Sequence, residues 1–98
     1  MSYDPSEPSG LQVTFLDQSG AKSVRAVIAY TVPVSRILPN IIAKLNLPTM
    51  SPDGLPVSYR LHHKEGGRQL DDAMTLVEAG VRQGDHLIVS PEATAGGL

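Results

Sequence analysis

Apolar and polar residues alternate along several stretches of this chain and recur at helical spacing along one. Leu11, Val13 and Phe15 alternate with Gln12 and Thr14, and Val24, Ala26 and Ile28 resume the alternation after Asp17-Gln18-Ser19-Gly20. A period of two puts one set of side chains on a buried face, so these read as two strands joined by a turn. Leu38, Ile41, Ile42 and Leu45 follow the i, i+3, i+4, i+7 spacing of a helix with one buried stripe. Ser35 is placed to cap that helix by accepting from free backbone N–H groups. Pro39 then falls at the fourth helical position, where its missing donor costs at most the first intrahelical bond. Asn46 and Pro48 close the helix.

After a Pro/Gly loop over Thr49–Pro56, Val57, Tyr59 and Leu61 alternate with Ser58, Arg60 and His62 in a third strand. Lys64-Glu65-Gly66-Gly67 is a hairpin turn, and Leu70 continues on a short fourth strand. Thr75-Leu76-Val77-Glu78 spells a capping box, in which the hydroxyl and the carboxylate each satisfy a backbone N–H of one short helical turn. Gly80 ends that turn in the left-handed conformation. Gln83-Gly84-Asp85 turns the chain again, and Leu87 and Val89 alternate with Ile88 and Ser90 in the last strand. The order β-β-α-β-β-turn-β predicts an α+β domain over residues 11–90, a β-grasp, with one main helix of about three turns on one face of a mixed sheet. Residues 1–10, with Pro5, Pro8 and Gly10, read as a flexible arm, and residues 91–98 as a mobile tail.

Composition narrows the function. Ninety-eight residues, 41% of them hydrophobic, form one domain with one modest core, filled by aliphatic side chains since there is one phenylalanine and no tryptophan. A net charge of −2 with no run of like charges argues against nucleic-acid binding. No apolar stretch approaches the roughly 18 residues of a membrane span, and the first ten residues lack the apolar segment of a signal peptide. Without cysteine there is no disulfide framework, thiolate nucleophile or cysteine zinc site. These features fit a cytoplasmic protein.

The tail holds Gly96-Gly97 followed by Leu98. Glycine has no Cβ, so its backbone passes close to the walls of a narrow channel and adopts almost any φ/ψ. The body adds more specific strings: Tyr59-Arg60-Leu61, Gly67-Arg68-Gln69-Leu70-Asp71-Asp72, Thr75 to Val81, and Gly84-Asp85-His86-Leu87-Ile88-Val89. Together they resemble the ubiquitin superfamily. The resemblance is closest to its YukD/EsaB-like branch and to the N-terminal domain of the EccD membrane components of type VII secretion. Val32 to Pro39 resembles the start of the helix in that branch, proline included. The branch holds two kinds of protein, secretion-linked domains without a conjugation tail and bacterial modifiers that end in a processable diglycine.

The diglycine draws this chain toward the second kind. The resemblance then implies that a JAB-type or other protease cuts after Gly97. An activating enzyme adenylates Gly97 and takes it onto a cysteine, and a conjugating enzyme passes it to amines of target proteins. Gly96 keeps the backbone slim, Leu98 is removed, and the modifier itself is no enzyme and needs no cofactor. The tail carries Glu92 and no arginine or lysine, unlike that of ubiquitin, which implies a dedicated activating enzyme. The alternative is a non-covalent YukD-like module serving type VII secretion; a sulfur carrier is disfavoured by Leu98.

Partners of ubiquitin read an aliphatic patch on the exposed sheet face. The matching outward positions here are His62, Ile88 and Ser90, with Leu16 and Val27 near them, a more polar surface that ubiquitin-type receptors would not bind. Lys22, Lys44 and Lys64 are the lysines able to accept a second modifier. His62 and His63 are adjacent on a strand and point to opposite faces, so the three histidines, with His86, are not read as a metal site. Asp71-Asp72 reads as a turn, and Gly66-Gly67 precedes no helix whose N-terminus would hold a phosphate.

Overall fold

A computed structural model describes residues 10–92. Five strands and one helix follow the expected order: β1 Gly10–Asp17, β2 Ser23–Ala29, α1 Val34–Lys44, β3 Tyr59–His63, β4 Arg68–Gln69 and β5 His86–Pro91. The sheet order is β2-β1-β5-β3-β4. β1 pairs antiparallel with β2 and parallel with β5, and β3 runs antiparallel to both β5 and β4. The sheet is therefore mixed, with α1 as its one helix.

The period of two survives as burial. Leu11, Val13 and Phe15 of β1, Tyr59 and Leu61 of β3, and Leu87 and Val89 of β5 all face inward, with Phe15, Leu61 and Leu87 at 0% exposure. Against them α1 lays Val34, Ile37, Leu38 and Ile41, with Leu45 buried at the C-cap. The buried stripe thus runs through Ile37 and not through Ile42, which sits half-buried at the stripe's edge. Leu70, Leu76, Ala79 and Val81 close the core from the irregular segment between β4 and β5.

The start of α1 differs from the sequence reading. Its N-cap is Pro33, and no side chain caps it; Ser35 is the second helical residue, within the first turn. The free N–H groups of Val34 and Ser35 donate to the carbonyls of Met74 (2.8 Å) and Asp72 (3.0 Å), so tertiary contact lets the helix begin before Ser35. Pro39 consequently stands at the sixth helical position. It withholds a donor from the Ser35 carbonyl, at a place where both residues are exposed. At the other end Asn46 takes φ 55°. Its N–H reaches the Ala43 carbonyl while that of Leu47 reaches Ile42, the paired bonds of a Schellman ending.

The capping box forms as read. The Thr75 N–H donates to Glu78 Oε1 at 2.9 Å, and the Glu78 N–H to Thr75 Oγ1 at 3.2 Å. Gly80, at φ 84°, ends the turn, with the Val81 N–H returning to the Leu76 carbonyl. At the ends of the domain, β1 already begins at Gly10 and β5 runs to Pro91, followed by a 2.7 Å bond from the Glu92 N–H to the Ser58 carbonyl. Gly10 is buried where β1 crosses β2, and a Cβ there would lie 2.1 Å from the Ile28 carbonyl oxygen.

Candidate functional site

The outward residues of the central strands lie in register across the sheet. Leu16 pairs with Ile88 and Ile88 with His62, so these three form one row, and Ser90 pairs with Arg60 in the next. Each of them is partly exposed. Val27 does not join this row. It pairs with Gln12, four residues along β1 from Leu16, because the register sets Ser23 opposite Leu16. At roughly 3.4 Å per residue that separation is about 14 Å. The outer face is thus a narrow aliphatic pair, Leu16 and Ile88, beside an imidazole.

Where β5 ends, Arg60 organises the surface. Its Nε donates to Glu92 Oε1 at 2.8 Å, and its Nη1 lies 3.3 Å from Asp72 Oδ1. Glu92, which the sequence offers as a charge of the tail, is therefore held on the body. The sequence offers Arg60 only as the polar half of an alternating strand and Asp72 only as part of a turn. Gly96, Gly97 and Leu98 lie outside the described residues, as do residues 1–9 of the arm.

Lys22, Lys44 and Lys64 are all exposed, the first at the end of the β1–β2 turn, the second in the last turn of α1 and the third just after β3. Lys22 Nζ donates to the Asn46 carbonyl at 3.5 Å, just past the last turn of α1 that carries Lys44.

The structure confirms that His62 and His63 point to opposite faces, and it adds partners for the inward one. His63 is buried, with Nε2 2.7 Å from Asp85 Oδ2, and the same oxygen accepts the Arg82 N–H at 3.0 Å. Glu65 receives the His86 N–H on Oε1 at 2.8 Å, and its Oε2 lies 2.6 Å from His86 Nδ1. His63, Glu65 and Asp85 bring ligand-type atoms within 4.8 Å of one another. Hydrogen bonds between the turn after β3 and the start of β5 account for the arrangement. Glu65 and Asp85 appear in the sequence only as turn residues; a polar side chain at the inward end of β3 was the available hint that they would be needed.

Burial opposes ionisation of Glu65, but the hydrogen bonds from the His86 ring and main chain outweigh it and hold the carboxyl at about 2, down from 4.5. A carboxyl depressed in the folded state stabilises the fold above its unfolded value and loses that contribution as pH falls toward the folded one. Urea midpoints should therefore fall between about pH 4.5 and 2, and Glu65→Gln should flatten that segment of the profile. Glu65 is 41% exposed, so the difference should amount to about 1 kcal/mol or less. An identical profile for the variant would show that the pair contributes nothing.

A family model described as WXG100 protein secretion system (Wss), protein YukD, matches residues 11–89. No curated protein sequence matches the chain. Among solved structures, the ubiquitin of Caldiarchaeum subterraneum superposes with a TM-score of 0.63 at 25% identity, covering 88% of this chain and 98% of its own. A designed protein based on ubiquitin superposes with a TM-score of 0.69 at 16% identity, covering 94% of this chain and 100% of its own. No helix among the described residues is long and apolar enough to cross a membrane.

Proposed function

Because this chain belongs to the YukD family and has the ubiquitin-like fold, we propose that it is a protein modifier transferred through the carboxylate of Gly97. One observation carries this reading, the position of Gly96-Gly97 relative to the anchored end of β5. Glu92 is fixed by Arg60 and by the Ser58 carbonyl, and only Ala93, Thr94 and Ala95 separate it from the diglycine. At about 3.3–3.6 Å per extended residue, the five steps from Glu92 to Gly97 reach about 17 Å. That is long enough to deliver a carboxylate into an enzyme while the folded body docks outside.

Cleavage after Gly97 removes Leu98 and anything beyond it. The freed carboxylate attacks the α-phosphate of ATP, releasing pyrophosphate and forming an acyl adenylate. A cysteine thiolate of the activating enzyme displaces AMP, the acyl group passes to a conjugating enzyme, and a target amine displaces the thiolate to form an isopeptide bond. The modifier supplies no catalytic side chain in this scheme, which runs in the cytoplasm, where ATP is available. The likeness to an archaeal ubiquitin supports the reading.

The family description favours a second reading, a non-covalent module of the WXG100 secretion system, which would bind partners through the folded body alone. The intact mass of the protein from its native cells, with a denaturing blot, separates the two. A modifier gives a species ending at Gly97 and denaturant-stable adducts that disappear in Gly97→Val. A native protein that retains Leu98 and forms no adducts overturns the proposal and leaves the secretion module.

A further inference from the structure

The end of the sheet where the β3–β4 turn meets β5 carries an inference that does not depend on the fate of Gly97. His63 is the one buried polar side chain among the described residues. It holds the last inward position of β3, in line with the core residues Tyr59 and Leu61. The three histidines do not converge, as their sequence positions imply; instead, one of them meets two carboxylates. Nε2 of His63 lies 2.7 Å from Asp85 Oδ2 and 3.9 Å from Glu65 Oε1, and the three residues bring ligand-type atoms within 4.8 Å of one another. One hydrogen bond to Asp85 satisfies that nitrogen. It gives no reason for a second carboxylate to face the same atom from beyond hydrogen-bond range. The two carboxylates also approach each other within that 4.8 Å, and like charges so close repel. Neither is paired with a lysine or arginine among the described residues. A cation between them turns the repulsion into attraction.

All three positions are held from outside. The main-chain N–H and the ring of His86 orient Glu65, and the Arg82 N–H orients Asp85. Outer partners of this kind aim the carboxylates of metal sites. The main chain beneath is tied as well: the Lys64 N–H donates to the His86 carbonyl at 3.0 Å and the Gly67 N–H to the His63 carbonyl at 2.7 Å. Gly66 lets the turn close on the imidazole, since a Cβ there would lie 2.6 Å from His63 Nδ1.

We propose that His63 Nε2, Glu65 and Asp85 bind a divalent metal ion of the zinc class, with water in the fourth position. An imidazole nitrogen selects such ions over magnesium and calcium, which take oxygen ligands. A neutral imidazole and two carboxylates supply the two negative charges that a divalent ion neutralises. Tetrahedral zinc, at about 2.0–2.2 Å from each ligand, spaces its ligand atoms about 3.3–3.5 Å apart. The 2.7 Å contact therefore opens and the 3.9 Å contact closes, each by less than about 1 Å. As the ion enters, the ring proton passes through solvent from Nε2 to Nδ1, and the freed lone pair faces the metal. Glu65 is 41% exposed, which gives the ion a path from solvent. Once bound, the ion ties the end of β3 and the turn after it to the residue that precedes β5.

The test uses the full chain, ¹⁵N-labelled and stripped of metal with a chelator, titrated with zinc chloride alone. Binding should saturate at one ion per chain, with shifts centred on His63, Glu65 and Asp85. The urea midpoint should rise with zinc, because the ion binds the folded state. Magnesium at the same concentration should move none of these signals. Glu65→Gln, at an exposed position and with the His63–Asp85 bond left in place, should bind zinc at least about tenfold more weakly. Asp85→Asn should do the same, whereas His62→Ala, on the outer face, should bind as the parent does. Parent affinity in either ligand variant, shifts centred on His62, or failure to saturate by about 1 mM zinc would overturn the proposal. So would equal binding of magnesium, which is the behaviour of an acidic surface patch.

Discussion

Phe15→Ala should cost about 3–5 kcal/mol, the usual range for deleting a fully buried aromatic ring. Phe15 has 0% exposure and sits in β1 between Val24 of β2 and Leu87 of β5. It is the one phenylalanine in a chain with no tryptophan, and the other ring in the core, Tyr59, is tied by its hydroxyl to the Pro48 carbonyl at 2.6 Å, so the side chains around the gap are mostly aliphatic. A domain of this size has a total stability of about 5–15 kcal/mol. The variant should therefore unfold at a much lower urea concentration, with part of the population unfolded in water at 37 °C. Phe15→Leu restores most of the volume and should lose less than half as much. A loss below about 1 kcal/mol for alanine would mean that the sheet and helix close over the gap, contrary to the close packing described.

Asp85→Ala should cost about 1–3 kcal/mol, because it leaves the buried His63 imidazole without its hydrogen-bond partner. His63 is 6% exposed and reaches Asp85 Oδ2 at 2.7 Å, while Glu65 Oε1, at 3.9 Å, is beyond hydrogen-bond range. The same substitution frees the Arg82 N–H, which caps the turn leading into β5. Asp85→Asn retains an acceptor and should lose less. A double-mutant cycle with His63→Phe isolates the coupling between the two side chains. A coupling energy near zero would show that the imidazole is held by packing alone.

The fold was legible because its strands bury one face, so hydrophobicity of period two in β1, β2, β3 and β5 carries through directly into burial. Turn chemistry located the breaks: the capping box at Thr75 and Glu78 and the left-handed Gly80 follow from local rules that tertiary structure does not override. The helix start was not legible. Ser35 is an adequate cap by identity, but the carbonyls of Met74 and Asp72, nearly forty residues away, satisfy the Val34 and Ser35 N–H groups and so start the helix earlier. Local propensity cannot register a competitor that distant in sequence. The helix phase shifted for a related reason: Ile37 and Ile42 are equally apolar, and which of them is buried depends on how α1 lies over the sheet.

The candidate sites divide the same way. His62, Ile88 and Ser90 were placed outward by alternation, and they are. Val27 was grouped with Leu16 only because both are outward and aliphatic; the pairing register separates them. The pairs Arg60–Glu92 and His63–Asp85 join segments brought together by the β3–β5 ladder, and no spacing within the chain encodes them.

The strand order has a consequence for how the protein is made. β1 and β5, the first and last strands, are neighbours at the middle of the sheet. During synthesis the β1–β2 hairpin and α1 emerge early, yet an isolated two-stranded hairpin is marginal in water. The strand that joins β1 to β3 arrives only when residues 86–91 have been translated. Closing so long a loop delays the sheet, as expected of folds dominated by non-local pairing. A nascent chain stalled before His86 would expose the apolar faces of two unconnected pieces, β2-β1 and β3-β4, to chaperones and proteases. Completion of the last strand is therefore the step that separates a degradable polypeptide from a folded one.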